Sequence, residues 1–343
     1  MKAIVKTKEG YDQIEYMDVE EPQTYGDKVK IKVAYAGICG LDIHTFKGDY
    51  ASNKPPVILG HEFSGVVAEV GPDVKNFKVG DHVTSETTFE TCGTCLYCKQ
   101  KDYNLCDHRK GLGTQADGGF AEYVLSREES VHHVPDNVSL KSAALTEPLA
   151  CCVHGLLEKT TITEEDTVLI LGPGTMGLLC AQVALAVGAK VMITGITKDK
   201  KRLDIAEKMG VHRAINVETE NLEEVVSEQT KTLGPTLVVD CSGYMPAVNQ
   251  ALRLVQKKGT VVQIGMFSEH ENLMDQDAII QREITYIGSR TQKPSSWDLS
   301  LKLMKEGKVN PEAIITQEIE LKDFKEGLKR LMEGDEVKTV IKF

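Results

Sequence analysis

The feature that most restricts the fold of this chain is Gly172-Pro173-Gly174-Thr175-Met176-Gly177, three glycines in a G-x-G-x-x-G spacing. The spacing carries weight only directly after a buried strand and at the opening of a helix. Here residues 168–171 form a continuous apolar run, and 176–187 follow with a helical pattern. The first glycine permits the tight turn, the second lets a pyrophosphate approach the backbone, and the third lets helix and strand pack closely. Free N–H groups at the helix N-terminus then face the phosphate. Gly172, Gly174, Thr175, Met176 and Gly177 are therefore expected to cradle a dinucleotide.

The surrounding sequence supports that frame. Strand-like runs at 168–171, 190–194, 239–241 and 261–265 alternate with helical stretches at 176–187, 200–209 and 246–255, the rhythm of a parallel, doubly wound sheet. Residues 1–150 differ in texture. Short β-like runs at 28–33, 65–70 and 120–125 are separated by Gly, Pro and Asp, which suggests half-buried antiparallel strands. Beyond Gly288 come helical patterns at 297–305 and 321–332 and a last strand at 338–342, which could return to the first domain. The class is α/β with two domains, consistent with 343 residues at about 150 per domain.

Fifty-one acidic against 40 basic residues give a net charge of −11 with no Lys/Arg stripe, which disfavours nucleic acid and leaves small molecules as the expected partners. The sequence opens without an apolar signal core and contains no long apolar run, so a cytoplasmic location with reduced thiols is expected. The nine cysteines then read as thiolates. Cys92, Cys95, Cys98 and Cys106 supply four ligands on one short loop, the set for a closed tetrahedral zinc site, which is structural because no position is open to substrate. Cys39, His61, Glu62 and Glu147 form a second, mixed set of thiolate, imidazole and carboxylate, the ligand chemistry of a catalytic zinc. Each also has an ordinary reading, as small core residue, turn histidine, or solvated or capping glutamate, and no spacing rule joins them.

At the end of the second parallel strand, the acidic residue that usually holds the ribose diol is replaced by Gly195 or, on the alternative count, Thr197. Lys198, Lys200, Lys201 and Arg202 follow with Asp199 among them, so the choice between NAD and NADP stays open, with the cations tilting it toward NADP. Cys241-Ser242, Ile264-Gly265 and Ser289 stand at the ends of later strands, where ligands of such sheets lie.

The motifs Gly37-Ile38-Cys39-Gly40-Leu41-Asp42-Ile43-His44 and Gly60-His61-Glu62-Phe63-Ser64-Gly65-Val66-Val67 are followed by the cysteine loop, Thr146-Glu147-Pro148-Leu149 and the glycine motif. In that order they make the chain resemble the zinc-containing medium-chain dehydrogenases along its whole length, and more closely their polyol dehydrogenase branch. The resemblance implies a GroES-like, mostly β catalytic domain over 1–151 with 289–343 returning to it. A Rossmann domain over 152–288 and a site in the cleft between the two are also implied. Cys39, His61 and Glu62 would ligate a catalytic zinc with water as fourth ligand, while Glu147 would lie beside the metal and ligate in some states. Asp42 would accept the other ring N–H of His61 and fix its tautomer. Leu41 stands where relatives carry the Ser or Thr that relays the alcohol proton, so the route would run through water, Glu147 or His44, with His44 as the candidate.

The activity implied is zinc-assisted hydride transfer from a secondary alcohol of a sugar alcohol or sugar-alcohol phosphate to NAD(P)+, giving a ketose or ketose phosphate. Thr114 and Arg290 would meet the substrate, and Arg109 and Lys110 could bring positive charge for a phosphate. A homodimer or homotetramer is implied as well. The competing expectations are L-threonine 3-dehydrogenase activity and a non-catalytic, cofactor-binding structural protein.

Overall fold

The computed structural model describes residues 1–269 and 271–343 and divides into two units. One comprises Met1–Ala150, Gln292–Lys305 and Ile315–Phe343; the other comprises Cys151–Thr291 and Glu306–Ile314.

In the first unit, the alternating run Lys28-Val-Lys-Ile-Lys-Val extends into a long strand, Lys28–Gly37, which buries Val29, Ile31 and Val33. The alternation is less clean than the sequence suggests, because Lys30 is buried too. Its ammonium lies 2.9 Å from Glu21 and 2.6 Å from Glu69, and these two charges make its burial tolerable. The sheet order is Val131–His133, His82–Ser85, Glu62–Val70, Lys28–Gly37, Lys338–Lys342, Ile315–Glu320, with Tyr123–Arg127 also paired to Lys28–Gly37. The last strand does return: Val340, Ile341 and Lys342 pair antiparallel with Gly37, Ala36 and Tyr35. The core gathers Val29, Ile31, Phe63, Leu112, Phe120 and Ile341, and receives Phe324 and Leu328 from the helix Phe324–Glu333.

In the second unit six parallel strands run in the order Arg213–Asn216, Lys190–Gly195, Thr167–Leu171, Leu237–Asp240, Thr260–Gln263, Thr285–Gly288. This is the doubly wound Rossmann order, so the α/β expectation holds. The strands Thr167–Leu171 and Leu237–Asp240 are buried nearly throughout, as strands covered on both faces must be.

Other elements refine or add to the sequence expectation. The stretch 321–332 is a short 3₁₀ turn, Leu321–Asp323, followed by a helix. Helix Thr146–Val153, which carries Glu147, continues into the wide turn His154–Glu158. Glu306–Ile314, expected with the first domain, packs with the second unit, where the Asn310 N–H donates to Oε1 of Gln182 at 2.7 Å. Among the described residues no helix is long and apolar enough to cross a membrane.

Candidate metal centres and cofactor cradle

The cysteine loop is tied together by N–H···S contacts: Cys95 N donates to Cys92 Sγ and Cys98 N to Cys95 Sγ, both at 3.4 Å. All four Sγ atoms lie within 4.8 Å of one another, with Cys92 Sγ 3.8 Å from Cys98 Sγ and 3.7 Å from Cys106 Sγ. A tetrahedron with Zn–S bonds of about 2.3 Å has edges of about 3.8 Å, so the sulfurs fit a closed zinc site. Hydrogen bonds from the backbone of Thr94 and Cys95 pull the Cys92 thiol down to about 5, toward the thiolate such a site needs. Tyr103 packs against Cys98 and Cys106, and the Arg127 guanidinium lies 4.6 Å from its ring centroid. Nothing in the cysteine spacing announces these supports.

The second cluster is assembled from segments distant in sequence. Cys39 is the N-cap of helix Gly40–Lys47, while Glu62 opens the strand Glu62–Val70 and His61 directly precedes it. Gly60 precedes them at φ +93°, and a Cβ there would sit 2.4 Å from the Phe120 ring, so only glycine delivers this turn. The ligand atoms of Cys39, His61 and Glu62 lie within 4.8 Å of one another. Glu62 is fully buried and His61 nearly so, yet His61 Nδ1 and Glu62 Oε1 have no hydrogen-bond partner. Burial opposes charging of His61, but Cys39, Asp42 and Glu147 together hold its pKa well above the ordinary value. Orphaned buried atoms in an acid-rich pocket fit a divalent cation.

Beneath the cluster lies a lysine that sequence reasoning missed. Lys338 Nζ is 2.5 Å from Glu62 Oε2 and donates to Ile38 O at 2.9 Å, with both side chains almost fully buried. Gly37 makes room for the pair, since a Cβ there would fall 2.1 Å from Glu62 Oε2 and 3.1 Å from Lys338 Cε.

Other expected residues are placed differently. Asp42 makes no hydrogen bond to His61 Nδ1; its Oδ2 accepts the Cys39 N–H at 2.8 Å, because the carboxylate folds back to cap its own helix. Burial raises its pKa to about 6. His44 is more than half exposed and pairs with Asp49 at 3.1 Å, outside the cluster. Glu147 is buried, and its Oε1 accepts a hydrogen bond from Gln292 Nε2 at 3.0 Å. Arg109 donates through Nε to Thr88 Oγ1 at 2.9 Å and through a terminal nitrogen to Thr87 Oγ1 at 2.6 Å. Lys110 pairs with Glu90 at 2.6 Å, so both cations are engaged by neighbouring side chains of the same unit. Thr114 is buried and donates locally, 3.0 Å to Gly111 O and 2.7 Å to Gln115 Oε1. Arg290 is an exposed residue of the second unit.

In the second unit the glycine motif forms the expected strand-to-helix turn. Gly172 adopts φ +94°, Gly174 caps helix Thr175–Ala186, and a Cβ on Gly177 would lie 1.8 Å from Gly172 O. A Cβ on Gly174 would meet nothing within 4 Å, so the space over the helix N-terminus is open for a phosphate. Cys241, Ser242, Ile264, Gly265 and Ser289 all follow the carboxyl ends of parallel strands, as does Gly172. Asp240, which the sequence reading passed over, organises this edge. Its buried carboxylate accepts from Ser242 N at 3.1 Å, Gly243 N at 3.0 Å and Gln263 Nε2 at 2.5 Å. At Gly195 a Cβ would lie 2.8 Å from Pro173 Cγ. The turn Thr197–Asp199 follows, with Thr197 N bonded to Glu218 at 2.9 Å and Lys198 exposed. Arg202 is paired with Asp199 at 3.1 Å.

Comparison with known proteins agrees with this geometry. Residues 26–136 match the alcohol dehydrogenase GroES-like domain and 175–306 the zinc-binding dehydrogenase family. The chain is 50% identical to the D-arabitol-phosphate dehydrogenase of Enterococcus avium, over 99% of this chain and 97% of that protein. It is 46% identical to the sorbitol dehydrogenase of Halalkalibacterium halodurans, over 99% of both. Among solved structures, a zinc-binding dehydrogenase from Sinorhizobium meliloti 1021 bound to NADP superposes with a TM-score of 0.92 at 30% identity, covering 100% of this chain and 99% of that one. With both halves matched by these families and relatives, the chain belongs to the zinc-containing medium-chain dehydrogenases, in their polyol dehydrogenase branch.

Proposed function

We propose that the protein oxidises a secondary hydroxyl of a sugar alcohol or sugar-alcohol phosphate to the ketose or ketose phosphate, with NAD(P)+ receiving the hydride. The observation that carries this reading is the buried cluster of Cys39, His61 and Glu62, with Nδ1 of His61 and Oε1 of Glu62 left without partners. These three residues hold the catalytic zinc, and Cys92, Cys95, Cys98 and Cys106 hold a structural one. Zinc supplies Lewis acidity that lowers the pKa of an alcohol hydroxyl. The backbone N–H groups from Gly174 to Gly177 bind the pyrophosphate, and Asp240 holds the loop at Ser242 and Gly243 in shape for the rest of the cofactor.

Leu41 provides no hydroxyl for a proton relay. Glu147, whose charge reaches His61, is the first acceptor for the alcohol proton, and His44, exposed beside Asp49, serves at most as the outer end of the route. Gly195 places no carboxylate where a 2′-phosphate would sit, while Asp199 already neutralises Arg202, so both NAD+ and NADP+ are accepted. Because Arg109 and Lys110 are engaged within the first unit, a substrate phosphate would rely on Arg290. In the cytoplasm the protein forms a homo-oligomer. The sheet ends at the strand Thr285–Gly288, and the nearby exposed Leu273 and Ile280 favour a dimer through this edge, which light scattering checks.

The deciding experiment is initial-rate measurement with both cofactors on zinc-loaded protein, over D-arabitol, xylitol, sorbitol, their phosphates and L-threonine. Turnover of one or more polyols or polyol phosphates, and not of L-threonine, is expected. Preference for L-threonine, or silence across the panel with zinc and cofactor bound, overturns the reading.

A further inference from the structure

We propose that Gln292 is a positioning residue: it holds the Glu147 carboxylate beside the metal cluster and is itself braced, through Thr87, by Arg109. The inference rests on the functional reading above, in which Cys39, His61 and Glu62 hold a metal and an alcohol is oxidised next to Glu147.

The geometry is specific. Gln292 and Glu147 are both buried, and Gln292 Nε2 donates to Glu147 Oε1 at 3.0 Å. An amide nitrogen has a second N–H, and this one points to Thr87 Oγ1 at 3.4 Å. The same hydroxyl oxygen accepts from the Arg109 guanidinium at 2.6 Å, and Arg109 Nε donates to Thr88 at 2.9 Å. One continuous chain thus runs from a cation to the carboxylate whose charge acts on His61. Gln292 is the first residue of the segment with which the chain re-enters the first unit. Thr291 before it takes φ +50°, a left-handed conformation that a β-branched residue rarely adopts, so the backbone is strained to deliver this amide.

The choice of residue type also has a chemical reason. An arginine in direct contact with Glu147 would neutralise the carboxylate and compete with both the metal and the substrate hydroxyl for it. A glutamine fixes the direction of the carboxylate and leaves its charge in place. Arg109 fixes the hydroxyl oxygen on which the Gln292 amide also rests, which assigns it a task within the first unit in place of the substrate contact expected from sequence.

The test uses full-length protein with cobalt in place of zinc, metal content, and steady-state kinetics on the best polyol. Gln292→Met keeps the length of the side chain and removes its donors. Loss of one hydrogen bond to a charged group predicts that kcat falls about tenfold or more. KM for the nicotinamide cofactor should stay within about twofold and metal content should be unchanged, because cofactor and ligand contacts are untouched, whereas the visible cobalt spectrum should shift because the released Glu147 carboxylate moves beside the metal. Thr87→Val should move the spectrum and kcat in the same direction by less. In a Glu147→Gln background, Gln292→Met should change kcat by less than about twofold, since a residue acting only through Glu147 has nothing left to position. An unchanged cobalt spectrum and kcat in Gln292→Met overturns the proposal, as does an equal loss in both backgrounds. If Gln292→Met does not fold, the cobalt spectrum of Thr87→Val decides: a shift supports the brace and no shift overturns it. The spectrum needs no substrate, so a wild-type protein silent on every polyol defeats the functional reading without deciding that of Gln292.

Discussion

Glu62 sits in a fully buried position with two claims on its carboxylate, the Lys338 ammonium at 2.5 Å and the candidate cation site proposed for it with Cys39 and His61. Removing one partner of a buried pair leaves an uncompensated charge, at a cost of about 3–5 kcal/mol. Lys338→Met should therefore lower the stability of zinc-free protein by about that amount in urea denaturation. Zinc-loaded protein should lose less, because the metal then balances the same carboxylate. Equal losses with and without zinc would show that Glu62 does not face the cation. At this scale the sequence points to residues of ligand type that the structure brings together: the four loop cysteines, and Cys39 with His61 and Glu62. It does not disclose Lys338, Gln292 or Asp240, which act through hydrogen bonds made only after folding. Nothing separates Lys338 from Lys342 in the last strand except that one is buried and the other exposed. The partner of Asp42 is not legible in the sequence, because a carboxylate at the third position of a helix has the backbone N–H of its own cap within reach.

Between elements, the helix Pro294–Lys305 is fastened to the strand Val131–His133 by one imidazole. His132 Nε2 lies 3.0 Å from Glu86 and Nδ1 3.1 Å from Asp298, and the ring stacks on Trp297 at 5.6 Å. Burial opposes charging of His132, but the Asp298 and Glu86 carboxylates outweigh it and lift the pKa to about 9. Because the folded value lies above the unfolded value of about 6.5, the stabilisation is fully present below the unfolded pKa. It is lost as pH rises through 9. The shift corresponds to about 3 kcal/mol. His132→Gln should therefore be less stable than wild type at pH 6 by about this amount, and the two urea midpoints should converge by about pH 10. A gap that persists at high pH would mean that packing on Trp297, and not charge, fastens the helix. The elements themselves divide by how they advertise their period. Continuous apolar strands and the glycine turn of the second unit are legible to within a residue or two. The strand Ile315–Glu320 escaped, since none of its residues is fully buried and its sequence shows no firm alternation.

At the scale of the molecule, the first unit is discontinuous, and its sheet is completed by strands from the C-terminal end of the chain. Lys338–Lys342 lies inside the sheet between Lys28–Gly37 and Ile315–Glu320. The sequence suggested that return, but not the excursion of Glu306–Ile314 to the second unit, because a few contacts such as Asn310 to Gln182 decide it. Both candidate metal clusters fall in the first unit. A structural zinc contributes folding energy of about 10 kcal/mol, comparable with the whole stability of a domain. Chelation should thus act unevenly. Trp297, the single tryptophan of the sequence, is fully buried in the first unit, so its emission should shift to the red when zinc is stripped. In hydrogen exchange, Lys28–Gly37 and Glu62–Val70 should lose protection while Thr167–Leu171 and Leu237–Asp240 keep theirs, because the parallel sheet contains neither cluster. Cofactor binding, measured by NADH or NADPH fluorescence, should then survive at least in part after chelation. Loss of protection spread evenly over both units would instead mean that the molecule unfolds as one cooperative block, with zinc stabilising the dinucleotide-binding sheet as much as the sheet that holds it.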